Sequence, residues 1–125
     1  MNPSVVHGYE QTAQFNLVQK PKQPKYLIYS GPTSSVLLTI WFRWTAAHQG
    51  LGGIDVLGDG KLVPDGTFLL AVDTAYSGGQ TFGGEGSRTF LIPHVKRIEL
   101  VINPGTVKTY QTVGGKYLIT AWSLQ

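Results

Sequence analysis

Apolar and polar positions along this chain alternate with a period of two over short runs, and glycine or proline interrupts each run. Successive side chains of a strand point to opposite faces, so this period predicts β-structure. The most pronounced segment is Ser35 to Thr45. Val36, Leu38, Ile40, Phe42 and Trp44 fall on one face, and Leu37, Thr39, Trp41 and Arg43 on the other. Both sets are largely apolar, which predicts a central strand covered on both sides. Val95 to Ile102 and Tyr117 to Leu124 alternate in the same way, and Tyr26-Leu27-Ile28-Tyr29, Ile54 to Leu57, Thr67 to Val72, Arg88 to Ile92 and Thr106 to Val113 read as further strands.

The interruptions have a chemistry of their own. Asp59-Gly60 between apolar runs is a hairpin signal, because a type I′ turn needs positive φ at both central residues. Pro64-Asp65-Gly66, Asn103-Pro104-Gly105 and Gly114-Gly115 read as further turns, Pro93 as a strand stop, and Ser77 to Ser87 as a glycine-rich mobile loop. The pattern predicts eight or nine short antiparallel strands in one all-β domain, a β-sandwich or jelly roll.

Residues 1–25 depart from this rhythm. They contain one brief alternation, Ala13, Phe15 and Leu17, able to form an edge strand, followed by Gln19-Lys20-Pro21-Lys22-Gln23-Pro24-Lys25. Two missing backbone donors and three mutually repelling lysines suit an extended connector or an exposed loop. The expected organisation is an N-terminal arm and linker over 1–25 and a β-sandwich over 26–125. Burying Phe15, Leu17 and Val18 would not offset the entropy of ordering so long a segment. The arm must then borrow backbone hydrogen bonds from a sheet edge, lie on another subunit or stay disordered. Of these, the expectation is that it lies on a neighbouring subunit through these three residues, with Lys20, Lys22 and Lys25 near acidic surface of that partner.

Composition narrows the function. The 125 residues include 16 glycines and 7 prolines, which leaves little room for helix. The chain has no cysteine, hence no disulfide framework and no thiolate metal site. A net charge of +3, with only 14% of residues charged, is too dilute for a nucleic-acid-reading face. No apolar run approaches the ~20 residues of a membrane helix, and Met1 to His7 has no signal-peptide pattern. With 42% hydrophobic residues and so little charge, the surface is expected to include apolar area shared with partners.

Tests for catalytic chemistry return nothing. His7, His48 and His94 lack zinc-ligand spacing, and Asp55, Asp59, Asp65 and Asp73 lack the alternate spacing of a calcium loop. Gly83-Gly84-Glu85-Gly86-Ser87 and Gly114-Gly115-Lys116 do not form a P-loop, Tyr76-Ser77-Gly78 is not a nucleophile elbow, and Glu99 has no evident carboxylate partner. No catalytic residue, metal or cofactor is expected. The aromatic residues remain, 3 Trp, 6 Tyr and 5 Phe. Most such rings fill a β core; the alternative is a sugar-stacking platform drawn from Trp41, Tyr76, Phe82 or Tyr110.

The arm Met1 to Lys25, the glycine-rich loop Ser77 to Ser87 and the ending Leu118-Ile119-Thr120-Ala121-Trp122-Ser123-Leu124-Gln125 together resemble the small β-sandwich or jelly-roll structural proteins of bacteriophage virions, of the decoration (cement), vertex or tail-accessory type. The resemblance implies a non-enzymatic, oligomeric virion protein whose partners are copies of itself and other virion proteins. Tyr76, Phe82, Glu85 and Arg88 mark the loop expected to contact a ligand or neighbour. The rival reading is a carbohydrate-binding or other small-ligand-binding β-sandwich, which accounts for the aromatics and the loop but has no need of the arm.

Overall fold

The structure is a computed structural model and describes residues 5–19, 22, 24–46, 50–71, 82–103 and 110–124. Every regular element in that set is a strand: β1 (Val5–Leu17), β2 (Tyr26–Ala46), β3 (Gly53–Gly58), β4 (Lys61–Leu69), β5 (Phe82–Asn103) and β6 (Tyr110–Leu124). All pair antiparallel in one sheet of order β1-β6-β2-β5-β3-β4.

The all-β expectation holds, with six strands in place of eight or nine because several expected breaks lie inside longer strands. Tyr26–Tyr29 and Ser35–Thr45 are the two ends of β2, 21 residues long, and Gly31-Pro32 sits between them. Arg88–Ile92 and Val95–Ile102 are both β5, which passes through Pro93. Two of the three β2–β5 register shifts fall together, between Ser30 and Ser34 and between Ser34 and Val36, beside Pro93 and His94, whose φ is +55°. Proline is tolerated in a strand at such a bulge. Pro64-Asp65-Gly66 bulges from β4, with Asp65 at φ +54°, and does not end it. The Asp59-Gly60 hairpin forms as expected between β3 and β4, with φ of +50° and +84°.

The bulged middle of the β2–β5 ribbon divides the sheet. One half of the ribbon carries β6 and β1, since β6 pairs only with residues 35–46 of β2. The other half carries β3 and β4, since β3 pairs with residues 98–103 of β5. The halves face each other. Phe68 of β4 packs on Phe42 of β2 at 4.6 Å between ring centroids and on Phe90 of β5 at 6.1 Å. Past the end of β4, Tyr110 Oη donates to Leu70 O at 2.6 Å and Trp44 Nε1 donates to Ala71 O at 2.9 Å. A sheet bent onto itself in this way is sandwich-like, with corners made by strands that continue from one half to the other. Its interior holds Val36, Leu38, Ile40, Ile54, Phe68, Ile98, Leu100 and Ile119, all fully buried.

Tyr110 joins the halves through a hydroxyl removed from water, and desolvation pushes its pKa up to about 12. The folded pKa lies above the ordinary value near 10, so the stabilisation is complete below pH ~10 and is lost as pH rises from ~10 through ~12. Tyr110→Phe is expected to cost about 1–2 kcal/mol at neutral pH, because Leu70 O loses its donor. The same variant should flatten the fall in stability between pH 10 and 12, measured by urea unfolding across that range.

The segment assigned to an arm is corrected over most of its length. β1 is hydrogen-bonded along β6 from Leu17, opposite Val113, to Val5, opposite Leu124. Phe15 and Leu17 are only 4% and 7% exposed within the chain's own core, and the Phe15 ring lies 6.4 Å from that of Tyr117. They are thus unavailable to a neighbouring subunit. Val18 is exposed, as are Lys22 and Lys25; Lys20 lies outside the described residues.

Candidate functional site

From Ser34 to Ala46, β2 presents its even-numbered residues to the interior and its odd-numbered residues to the other side; before the bulge the phase differs, with Tyr29 buried and Ser30 exposed. Coverage on both faces was the expectation for this strand. Instead, Leu37 is 41% exposed and Trp41 38%. Register extends the outer face over four strands. Leu37 lies opposite Leu91 of β5, which is 67% exposed, and opposite Thr120 of β6; Thr39 lies between Thr89 and Leu118; Trp41 lies between Ser87 and Lys116. Beyond β6, β1 adds Thr12, Gln14 and Asn16 opposite Leu118, Lys116 and Gly114.

Threonine pairs tie this face together. Thr39 and Thr89 hydroxyls are 3.1 Å apart, and those of Thr45 and Thr112 are 2.7 Å apart. Such cross-strand hydrogen bonds each contribute ~0.2–1 kcal/mol. Arg43 and Glu85 form an ion pair at 3.6 Å with both side chains largely in water, an arrangement worth little to stability. Lys116 Nζ lies 5.2 Å from the centroid of the Trp41 ring, within cation–π range.

Glycines shape a depression in this face. Gly114 lies opposite both Asn16 and Arg43 and supplies no side chain. Around it opens a groove of about 720 Å³ lined by Gln14, Asn16, Trp41, Arg43, Glu85 and Lys116, among others. On the inner side, Gly84 and Gly86 make room for rings: an added Cβ would meet the Trp44 indole at 2.8 Å and the Phe42 ring at 3.0 Å. The run Gly83 to Ser87, expected to be mobile loop, is thus strand paired to β2.

The structure brings together two residues that the sequence singled out separately, Trp41 and Glu85. Arg88 goes elsewhere, over the Phe90 ring at 5.0 Å and onto the Asp65 carbonyl at 3.2 Å. Tyr110 is excluded as a platform, being buried with its hydroxyl occupied. Tyr76 and the Phe82 side chain lie outside the described residues, as do His48, Asp73, residues 77–81 and the start of the strand expected at Thr106. Gln14, Asn16 and Lys116 were missed as groove residues, each ordinary in its local sequence and brought to the groove only through register, while Arg43 was placed on the Trp41 face by the period of two but assigned no role. Glu99, nearly buried, pairs with Arg97 at 3.4 Å. Among the described residues no group of three or more His, Cys, Asp or Glu is placed to hold a metal ion.

No family model and no curated protein matches this chain. Solved structures of a virus do. "Structure of infectious bursal disease virus Gt strain" aligns over 94% of this chain at 16% identity with a TM-score of 0.42. "Crystal structure of infectious bursal disease virus VP2 subviral particle" aligns over 94% at 14% identity with a TM-score of 0.37. "Structure of infectious bursal disease virus Gx strain" aligns over 97% at 16% identity with a TM-score of 0.38. This chain spans about a third of each of those chains (32%, 33% and 33%), and the likeness is one of chain course alone.

Proposed function

We propose that this chain is a non-enzymatic structural subunit of a virus particle that works through subunit–subunit contacts, and that its finer role is to stabilise or decorate a bacteriophage capsid or tail. The observation that carries the assembly reading is the outer face, where Leu37, Trp41 and Leu91 stand in water beside threonines. A contiguous apolar patch on a sheet face marks an interaction surface, and burying a side chain such as Leu91 gains about 1.5–3 kcal/mol. The virion part of the reading follows the resemblance noted in the sequence.

Leu91→Lys tests the face. The residue is 67% exposed, so the melting temperature should stay within the shift of an ordinary surface change, about ±0.5 kcal/mol. Light scattering should show oligomers for the natural chain and their loss in the variant. Natural chain that remains monomeric at high concentration and is absent from particles would sink the reading.

The groove favours a second reading, a carbohydrate-binding module. Trp41 offers an apolar ring, and Gln14, Asn16, Arg43 and Glu85 surround it with donors and acceptors. Glycan-array binding that Trp41→Ala abolishes and Leu91→Lys preserves is the result that would place this reading first.

A further inference from the structure

We propose that the outer edge of β1 is where a second copy of this chain adds its own β1, antiparallel across a two-fold axis, to make one continuous sheet. The proposal rests on the self-association reading above and names its partner and contact.

Among the described residues the sheet order leaves two edges, β1 and β4. A free edge exposes a row of N–H and C=O groups that templates pairing, and proteins blunt it with proline, lysine, bulges or short strands. β4 carries such devices: Lys61, Pro64, and a bulge around Asp65 at φ +54° that breaks its ladder to β3. β1 carries almost none. It is 13 residues long, contains no proline or lysine, and has Glu10 as its one acidic residue. After a single irregularity between Val5 and His7, its register with β6 is unbroken to Leu17. A regular ladder on one side means regularly spaced polar groups on the other, and no described strand takes them up.

The same residues point to a second copy as occupant. Antiparallel self-pairing centred at Thr12 sets even positions opposite even and odd opposite odd, so both pleats run on across the junction. Gln11 then lies opposite Ala13 and Glu10 opposite Gln14, with no carboxylate facing a carboxylate. The isologous contact closes at two chains.

The chain lacks cysteine, so single introduced thiols report proximity without background. Gln11→Cys, Thr12→Cys and Ala13→Cys bracket the axis, where cross-strand Cβ atoms come within reach of a disulfide. Each full-length variant would be oxidised mildly and run on a non-reducing gel, with Lys61→Cys on the β4 edge as control and light scattering of the natural chain alongside. At least one β1 variant should form covalent dimer roughly tenfold or more faster than the control. It should still do so with Leu91→Lys added, because the edge and the face are separate contacts. Adjacent strand residues point their N–H groups to opposite sides, so one of Thr12→Pro and Ala13→Pro should keep the fold and abolish the dimer. Oligomers in the natural chain without β1 cross-linking would overturn the edge and leave the assembly reading standing. A monomeric chain without cross-links would overturn both.

Discussion

Gly115→Ala is expected to destabilise the domain by about 4 kcal/mol, enough to remove much of the stability of a domain this size, typically ~5–15 kcal/mol. Two effects add. Gly115 has φ +153°, a conformation that residues with a Cβ rarely adopt, and holding one there costs ~1–3 kcal/mol. The new Cβ would also lie 2.0 Å from the Trp41 carbonyl oxygen and 2.9 Å from the Phe42 Cα. Both belong to the backbone of the neighbouring β2, so no side-chain rotation relieves the clash, and overpacking of this kind costs a further ~1–3 kcal/mol. The control is Gly8→Ala on β1, where an added Cβ meets nothing within 4 Å. It should leave stability unchanged or slightly improved, since alanine restricts the unfolded chain more than glycine does. Urea unfolding of the two variants checks both statements; similar midpoints would show that β6 does not approach β2 so closely at this point.

The contrast between these glycines shows which parts of the fold were legible. Asp59-Gly60 could be read as a hairpin because positive φ at successive residues is a local demand that few residue pairs meet. Gly84, Gly86 and Gly114 carry no such local mark. They make room for Trp44 and Phe42 and form the floor of the groove, and that role depends on strands distant in sequence. Read along the chain alone, they count as loop residues. Pro93 and Gly31-Pro32 mislead in the same way, because a proline within a strand is acceptable where the register slips, and register is a property of two strands together. The outer face was half legible. The period of two placed Leu37, Trp41 and Arg43 together, but their apolar character suggested a covering layer that the described residues do not supply. Of the groove, only Trp41 and Glu85 drew notice, since an aromatic ring and a lone acid carry chemical meaning by type. Gln14, Asn16 and Lys116 acquire theirs from position beside Trp41.

A chain beginning at Val18 is expected not to fold cooperatively, the reverse of what an arm over 1–25 would give. An arm lying on a neighbour can be removed without loss of the domain. β1 instead contributes Phe15 and Leu17 to the core, each worth about 1.5–3 kcal/mol on burial. Its loss also uncovers what it packs on: Tyr117, whose ring faces Phe15, and Val113, which sits opposite Leu17. The β6 edge would then stand open along its length, and the total loss should be about 5 kcal/mol or more, comparable to the whole stability of a small domain. Circular dichroism and heat-capacity scans should show the truncated chain without a sharp transition, and it should aggregate through the exposed β6 edge. Phe15→Ala supplies a graded version for which the chain still folds well enough to measure, with an expected cost of about 3–5 kcal/mol. If the truncated chain melts like the intact one, then the ladder from Leu17 to Val5 contributes nothing to the isolated domain, and Phe15 and Leu17 return to being contacts for a neighbour.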